Sequence, residues 1–502
     1  MTEKQERQGE SATTEEENLL ESLFQKVDMS VPTERVTLED KTSMESSSAK
    51  LTLAINHFLH SIATSGASVQ KLDKVVVDAA IAEIDKRLSA QICAIMHDPK
   101  FQKLESIWRS LKFLVDRSDF RRNIKIEILN VSQSDLADDF SDAPEPAQSG
   151  LYKQVYTAEY DQPGGEPFAA MISNYDFGRS PTDMELLQNV AKISAATHCP
   201  FIGAVNHAFF GLKSITALPT VPDLASIFEQ AEYAKWNAFR DSEDSRYVGL
   251  TVPRFLLRLP YGKDTIPVKE FDFEEDVSGE EHDKYLWGNA SFAFASRLTD
   301  SFAQHGWCVN IRGPKAGGLV EDLPLHLYSA GGDTEVKVPT EILISDRREF
   351  EFAQQGLISL SFYKNKNYAC FFSAQSTQRP AKYASAEATA NSKLSANLPY
   401  LFLVSRLAHY LKVIQRENIG AAKEAKDLQR ELETWMEKLV TKMPNPDAKL
   451  KARCPLQSAA IEVSSNLDNP GFYSVGMKVR PHFQIEGVNV DLSLVSQMPK
   501  GK

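Results

Sequence analysis

The stretch VGMKVRPHFQIEGVNVDLSL, residues 475–494, constrains the fold more tightly than any other part of the chain. Val475, Met477, Val479, Phe483 and Ile485 alternate with polar or small residues, the parity switches at Glu486-Gly487, and Val488, Val490, Leu492 and Leu494 resume the alternation. Successive side chains of a strand point to opposite faces. A two-residue loop at Glu486-Gly487 therefore pairs Ile485 with Val488, Phe483 with Val490 and Val479 with Leu494, gathering every apolar side chain on one face. Pro481 forfeits a ladder bond toward Leu492 in that register, which predicts a bulge or a longer loop. Two strands alone are marginal in water, so the hairpin needs helical cover or further strands. SAAIEVSS (458–465), with Ile461 and Val463, supplies a third. Either the hairpin closes a core within the chain, or its edge admits a strand from another one.

The helical segment before it, residues 397–442, starts at Leu398 and weakens near Ile419-Gly420. Leu401, Val404, Leu407, Leu411 and Ile414 make its apolar face. Arg406, His409, Lys412 and Arg416 recur at three- and four-residue steps on the other side, and Lys423 continues the row beyond the break. The row is either an ordinary solvated face or a docking surface for an acidic partner. Within residues 1–45, twelve acidic side chains face five basic ones, so −7 of the net charge of −12 sits on a short arm. That imbalance predicts a solvated, mostly disordered arm and argues against nucleic acid as the main partner. ERVTLE (34–39) alternates Val36 and Leu38 with polar residues, either a brief strand signal or a chance pair in a floppy tail.

From Lys50 to Asp119 the pattern is helical: Val77, Ile81, Ile84, Leu88, Ile92 and Ile95 form one stripe, and Phe101, Leu104, Trp108, Leu111 and Val115 another. Asp98-Pro99 caps the second helix, and both stripes are expected in the core. Between 121 and 390 strands and helices alternate. Strands are expected at KIEILNV (125–131), FAAMISNY (168–175), PFIGAVN (200–206), FLLRL (255–259), GLISLSF (356–362) and YACFFSA (368–374). Helices are expected at Pro181 to His198, Asp223 to Arg240 and near Trp287–His305. Continuous apolar strands between helices predict an α/β layer with its sheet buried on both faces. The fold class is thus mixed α+β and α/β, multidomain. A 1–45 arm precedes a 46–120 helical region packing with the C-terminal part. A 121–390 central α/β domain and a 391–502 domain with the long helix and the antiparallel hairpin follow.

No catalytic or metal motif emerges. The chain lacks GxxxxGK[ST], a GxGxxG opening a helix, GxSxG and HExxH; RGPKAGG (312–318) has its glycines and lysine in the wrong order for a phosphate loop. Cys93, Cys199, Cys308, Cys370 and Cys454 are scattered with no CxxC, which suits a reducing compartment. No apolar run approaches the ~20 residues that span a bilayer, and the acidic start is unlike a signal peptide. No residue is accordingly expected to serve catalysis, a cofactor or a metal. A soluble α/β enzyme with an unrecognised site, or a monomeric scaffold, stays open on these grounds.

PRFLLRLPYG (253–262), LPYLFLVSRLAHYLKVIQRENIG (398–420) and NPGFYSVGMKVRPHFQIEGVNVDLSLVSQMP (469–499) together resemble the large subunit of the bacterial type VI secretion contractile sheath. The resemblance runs from about residue 45 to 499 and implies a fold like that of phage tail-sheath proteins. It also implies a structural role in the bacterial cytoplasm without catalysis. The partners implied are a small sheath subunit, further copies of the chain in a helical polymer, an inner tube of hexameric rings, a baseplate, and a ClpV-type AAA+ ATPase acting on contracted sheath. In such sheaths an inner sheet is completed by arms from neighbouring subunits. That makes Val36, Leu38, Ile461, Val463, Val479, Phe483, Ile485, Val488, Val490 and Leu492 the candidates for exchanged and receiving strands. The basic row Arg406, His409, Lys412, Arg416 and Lys423, beside these sequences, is the candidate tube-facing surface.

Overall fold

A computed structural model describes residues 74–482 except 270, 280, 422, 442, 444 and 466–472. The chain divides into two compact units, residues 1–87 and 88–502. The described part of the first is the leading portion of helix α1 (Lys74–Met96). Helix α2 (Pro99–Asp116) begins as its sequence dictates: the Asp98 carboxylate accepts the Lys100 amide at 2.9 Å, and Pro99 occupies the first turn. Helix α3 (Gln133–Asp142) follows, opened by a reciprocal capping box between Ser132 and Asp135. A π-helical stretch, Lys153–Tyr160, leads toward the sheet.

That sheet is built from strand β1 (Met171–Phe177), helix α4 (Pro181–Thr197), strand β2 (Phe201–Val205), short helices α5 (Leu224–Phe228) and α6 (Ala234–Arg240), and strand β3 (Val248–Val252). A two-residue pair, β4 (Phe255–Leu256) with β5 (Trp287–Gly288), precedes helix α7 (Ala290–His305). Next come β6 (Leu319–Val320), the hairpin β7 (His326–Ala330) and β8 (Asp333–Lys337), helix α8 (Asp346–Gln354), β9 (Leu357–Phe362) and β10 (Ala369–Phe371). The six-stranded order is β1-β2-β3-β9-β10-β6, with β1, β2, β3 and β9 parallel and the β10 and β6 pairings antiparallel. Every residue of β2 and β3 is buried. One apolar cluster packs Met184, Leu187 and Val190 of α4 with Phe209, Phe228, Trp236 and Phe239. Another packs Phe294 of α7 with Ile358, Leu360 and Phe371. Clusters on both faces explain why these strands are continuous apolar runs.

The C-terminal part comprises helices α9 (Ala386–Ser395), α10 (Leu398–Glu417), α11 (Ala425–Glu437) and α12 (Ala448–Arg453), then strands β11 (Leu456–Ser465) and β12 (Tyr473–Pro481). The expected weak point is real: α10 ends at Glu417, and Gly420 takes φ +85°, a left-handed turn that glycine adopts without side-chain strain.

Four expectations are corrected. KIEILNV is extended but joins no sheet, because among the described residues no strand lies alongside it in register. The helix expected over 223–240 breaks into α5 and α6. Between them Tyr233 turns inward, its hydroxyl donating to the Phe209 carbonyl at 2.8 Å. The region to residue 120 was expected to pack with the C-terminal part, whereas among the described residues α2 lies on the central domain, with Leu114 against Phe292 and Ala295 of α7. Finally, most of the two apolar stripes is not core. Ile81, Ile84, Leu88, Ile95, Phe101, Leu104, Trp108 and Val115 are exposed, because α2 turns a different face inward. Ser110 permits close approach there, Ser106 donates to the Trp287 carbonyl at 2.7 Å, and Phe113 meets the Phe255 ring at 5.0 Å.

Candidate assembly surfaces

Strands β11 and β12 pair antiparallel, with Ala459 opposite Val479, Ile461 opposite Met477 and Val463 opposite Val475. SAAIEVSS is thus the strand that the alternation at 475–479 called for. Ile461 and Val463 are buried, and Val475, Met477 and Val479 lie half-buried beside them on one face, against Leu403 and Leu407 of α10 and Leu428, Leu432 and Met436 of α11. A register irregularity falls between Leu456 and Ser458, opposite Pro481 and Arg480, where a proline cannot donate to the ladder. Among the described residues β12 has β11 as its single strand neighbour, so its other edge carries no partner strand there. The remaining candidates for strand exchange, Phe483, Ile485, Val488, Val490 and Leu492 in the hairpin and Val36 and Leu38 in the arm, lie outside the described residues.

The basic row has an internal job, which corrects its reading as a free cationic surface. His409 is 2% exposed and its Nε2 donates to the Thr197 carbonyl at 2.8 Å. Burial first of all, with the nearby charges of Arg406, His198 and Lys412, pushes its pKa down to about 4 against the opposing pull of the Thr197 carbonyl. Arg406 donates to the Pro167 carbonyl at 3.3 Å and lies over the Tyr410 ring. Lys412 pairs with Asp161 at 2.8 Å and sits 3.7 Å from the centre of the Tyr160 ring. Arg416 donates to the Tyr160 and Gln162 carbonyls at 3.0 and 2.8 Å. Lys423 meets Glu431 at 2.7 Å. Four of the five therefore clamp residues 160–167 and the end of α4 onto α10. The helical spacing is visible in sequence, but the segment it grips lies some 250 residues earlier, where nothing local announces the contact.

Two buried ion networks were invisible for the same reason. Arg258 bridges Glu105 of α2 at 2.8 Å and Glu275 at 2.6 Å, and Glu275 also meets His97 at 3.2 Å. Burial disfavours charge on Glu105, yet the hydrogen bonds and charges of Arg258 and Arg109 outweigh it and hold its carboxyl below the usual range. Arg254 pairs with Glu341 at 2.6 Å and His282 joins at 3.2 Å. These contacts fasten α2 and the loops around 254–285 and 341 into one body.

Sequence comparison decides what the architecture is for. The model of the EvpB/VC_A0108 tail sheath N-terminal domain matches residues 78–378, and that of the tail sheath gpW/gp25-like domain matches 387–498. The chain belongs to the EvpB/VC_A0108 tail sheath family. It is a structural subunit of a contractile sheath. The type VI secretion system sheath protein TssC1 of Pseudomonas aeruginosa is 45% identical over 430 residues, covering 85% of this chain and 86% of that protein. Among solved structures, the anti-feeding prophage baseplate matches over 75% of this chain and 84% of its own, at 11% identity and a TM-score of 0.39. The contracted sheath of an extracellular contractile injection system matches over 62% and 68%, at 9% identity and a TM-score of 0.33. At such scores these likenesses add nothing to the assignment.

Proposed function

We propose that this chain is the large sheath subunit of a type VI secretion system. It pairs with a small sheath subunit and polymerises with further copies around an inner tube of hexameric rings, and contraction of the polymer drives the tube outward. The observation that carries the reading is the match of tail sheath models to residues 78–378 and 387–498, and the C-terminal sheet, seated by one face on α10 and α11, is the element proposed to exchange strands. Ile461, Val463 and Val479 anchor the receiving sheet to its helices. The arm with Val36 and Leu38, and the hairpin residues Phe483, Ile485, Val488, Val490 and Leu492, are the proposed exchanged strands. A strand passed from one subunit to the next is a heterologous contact, and such a contact that does not close propagates as an open helix. Backbone bonds then tether neighbours while outer domains exchange one packing for another.

The work in this account comes from the difference between two packings, with no substrate turned over. A baseplate at one end, a ClpV-type AAA+ ATPase acting on the contracted form, and a cytoplasmic location belong to the same proposal. Consistent with the last, no helix among the described residues is long and apolar enough to cross a membrane. Co-expression with the small sheath subunit, followed by negative-stain electron microscopy, tests it. Hollow tubules are expected; a monodisperse monomer that polymerises with no partner would sink the reading.

A further inference from the structure

Two incomplete structural features adjoin on the central domain. The first is the outer stripe of α2, where Leu104 is 53% exposed and Trp108 61%. The second is the extended stretch 124–131, whose sequence is that of a strand. Among the described residues none of its amides donates to a backbone carbonyl, and Ile128 and Leu129 stand exposed. The stretch is nevertheless fastened down: Ile126 packs on the Leu114–Phe292–Ala295 cluster, the Val131 carbonyl accepts the Tyr175 hydroxyl at 2.9 Å, and Lys125 pairs with Glu166. Leu111 of the α2 stripe packs on the same cluster as Ile126, so helix stripe and extended stretch are neighbours.

Charge says what kind of chain fits. Residues 98–127 carry eight basic and five acidic side chains, a balance of +3 on a chain of −12. Much of the acid there is already engaged: Glu105 with Arg109 and Arg258, Asp116 with Lys112, and Asp119 with Arg121. Lys100 and Lys103 remain exposed on α2 beside the stripe. A second copy docked through the same patch would set these cations against one another, whereas a carboxylate-bearing partner is drawn in.

We propose that residues 124–131 and the outer stripe of α2 form a docking site for an extended, carboxylate-bearing strand of a different polypeptide. That strand adds main-chain bonds to 124–131 and covers Leu104 and Trp108 with its apolar side chains. The site is separate from the C-terminal sheet. It deepens the sheath reading, on which it rests, by assigning the small subunit a seat on this chain.

Amide hydrogen exchange on the full chain, alone and in the complex purified after co-expression with the small sheath subunit, tests it. Alone, the amides of 124–131 exchange as in unpaired backbone; in the complex they slow at least about tenfold, a modest fraction of the protection a stable ladder gives. Iodide quenching of Trp108 fluorescence falls on complex formation. The double substitution Leu104→Glu and Trp108→Glu lowers recovery of the small subunit about tenfold or more while leaving the thermal midpoint of the chain alone unchanged, since both side chains are exposed. A complex in which 124–131 still exchanges freely overturns this site and leaves the sheath reading standing. Slow exchange in the chain alone means the stretch is already paired within the chain, and also overturns it. Failure of the wild-type chain to bind the small subunit overturns both.

Discussion

His409 shows how one side chain ties sequence pattern to stability. It is neutral in the folded protein because burial holds its pKa near 4, while an unfolded chain returns it to the ordinary imidazole value. Above about pH 6.5 both states are neutral and the group has no effect on stability. Below that the unfolded state binds the proton first, so stability falls steadily until the pH reaches the folded value. Between pH 7.5 and 5 the loss is on the order of 2 kcal/mol. Urea denaturation at the two pH values measures it, and His409→Asn should flatten the difference. The Arg254–Glu341 pair gives an asymmetric prediction. Glu341 is almost wholly buried and its pKa falls to about 2: desolvation opposes this, and the Arg254 charge with the His282 and Arg254 hydrogen bonds overrides it. Arg254→Ala strands a buried carboxylate and should cost about 3 kcal/mol; Glu341→Gln leaves a guanidinium that reaches water and should cost about 1 kcal/mol. Equal losses in denaturant midpoint for the two variants would contradict this account.

At the scale of elements, what was readable in the sequence divides by whether the partner belongs to the described chain. β2 and β9 are largely apolar because packing covers both faces, and that composition announces them; β3, equally buried, is not among the expected strands. The ends of α2 and α4 are written in Asp98-Pro99 and Ser180-Pro181. Alternation at 475–479 foretold both β12 and the buried side of β11. The same reasoning misplaced the stripe through Trp108, since periodicity reports that a face is apolar and not which molecule covers it. It also took 125–131 as a paired strand, although the composition specifies extended backbone and leaves the neighbour undefined. The long-range clamp of α10 on residues 160–167 had no signal beyond the spacing of the cations. Removing buried apolar bulk from the receiving sheet tests its anchoring: Ile461→Ala should cost about 3 kcal/mol by vacating space among Leu407, Leu432 and Met436. Protease digestion should then cut first within 456–481. Unchanged resistance there would mean that the sheet is held by something other than its helix-facing side chains.

For the whole molecule, the decisive question is how an acidic chain makes a filament that shortens without coming apart. Tightly packed surfaces alone would have to separate and re-form, whereas a strand shared between subunits keeps its backbone bonds while the domains outside it move. Each subunit then needs only a modest free-energy difference between packings, because many act together. The arm is suited to such tethering: residues 1–45 hold most of the net negative charge and few apolar side chains. Such a segment gains order by adding to a neighbour's sheet edge and not by collapsing into a core of its own. Deleting residues 1–45 should therefore leave the pairing with the small subunit intact, measured as undiminished co-purification, while long tubules vanish from electron micrographs. The proposed docking stripe of α2 lies outside the deleted residues, so the deletion tests the proposed link between copies and leaves the proposed seat of the small subunit in place. Tubules of normal length from the shortened chain would show that propagation runs through another surface, and would remove the proposed role of the arm in strand exchange.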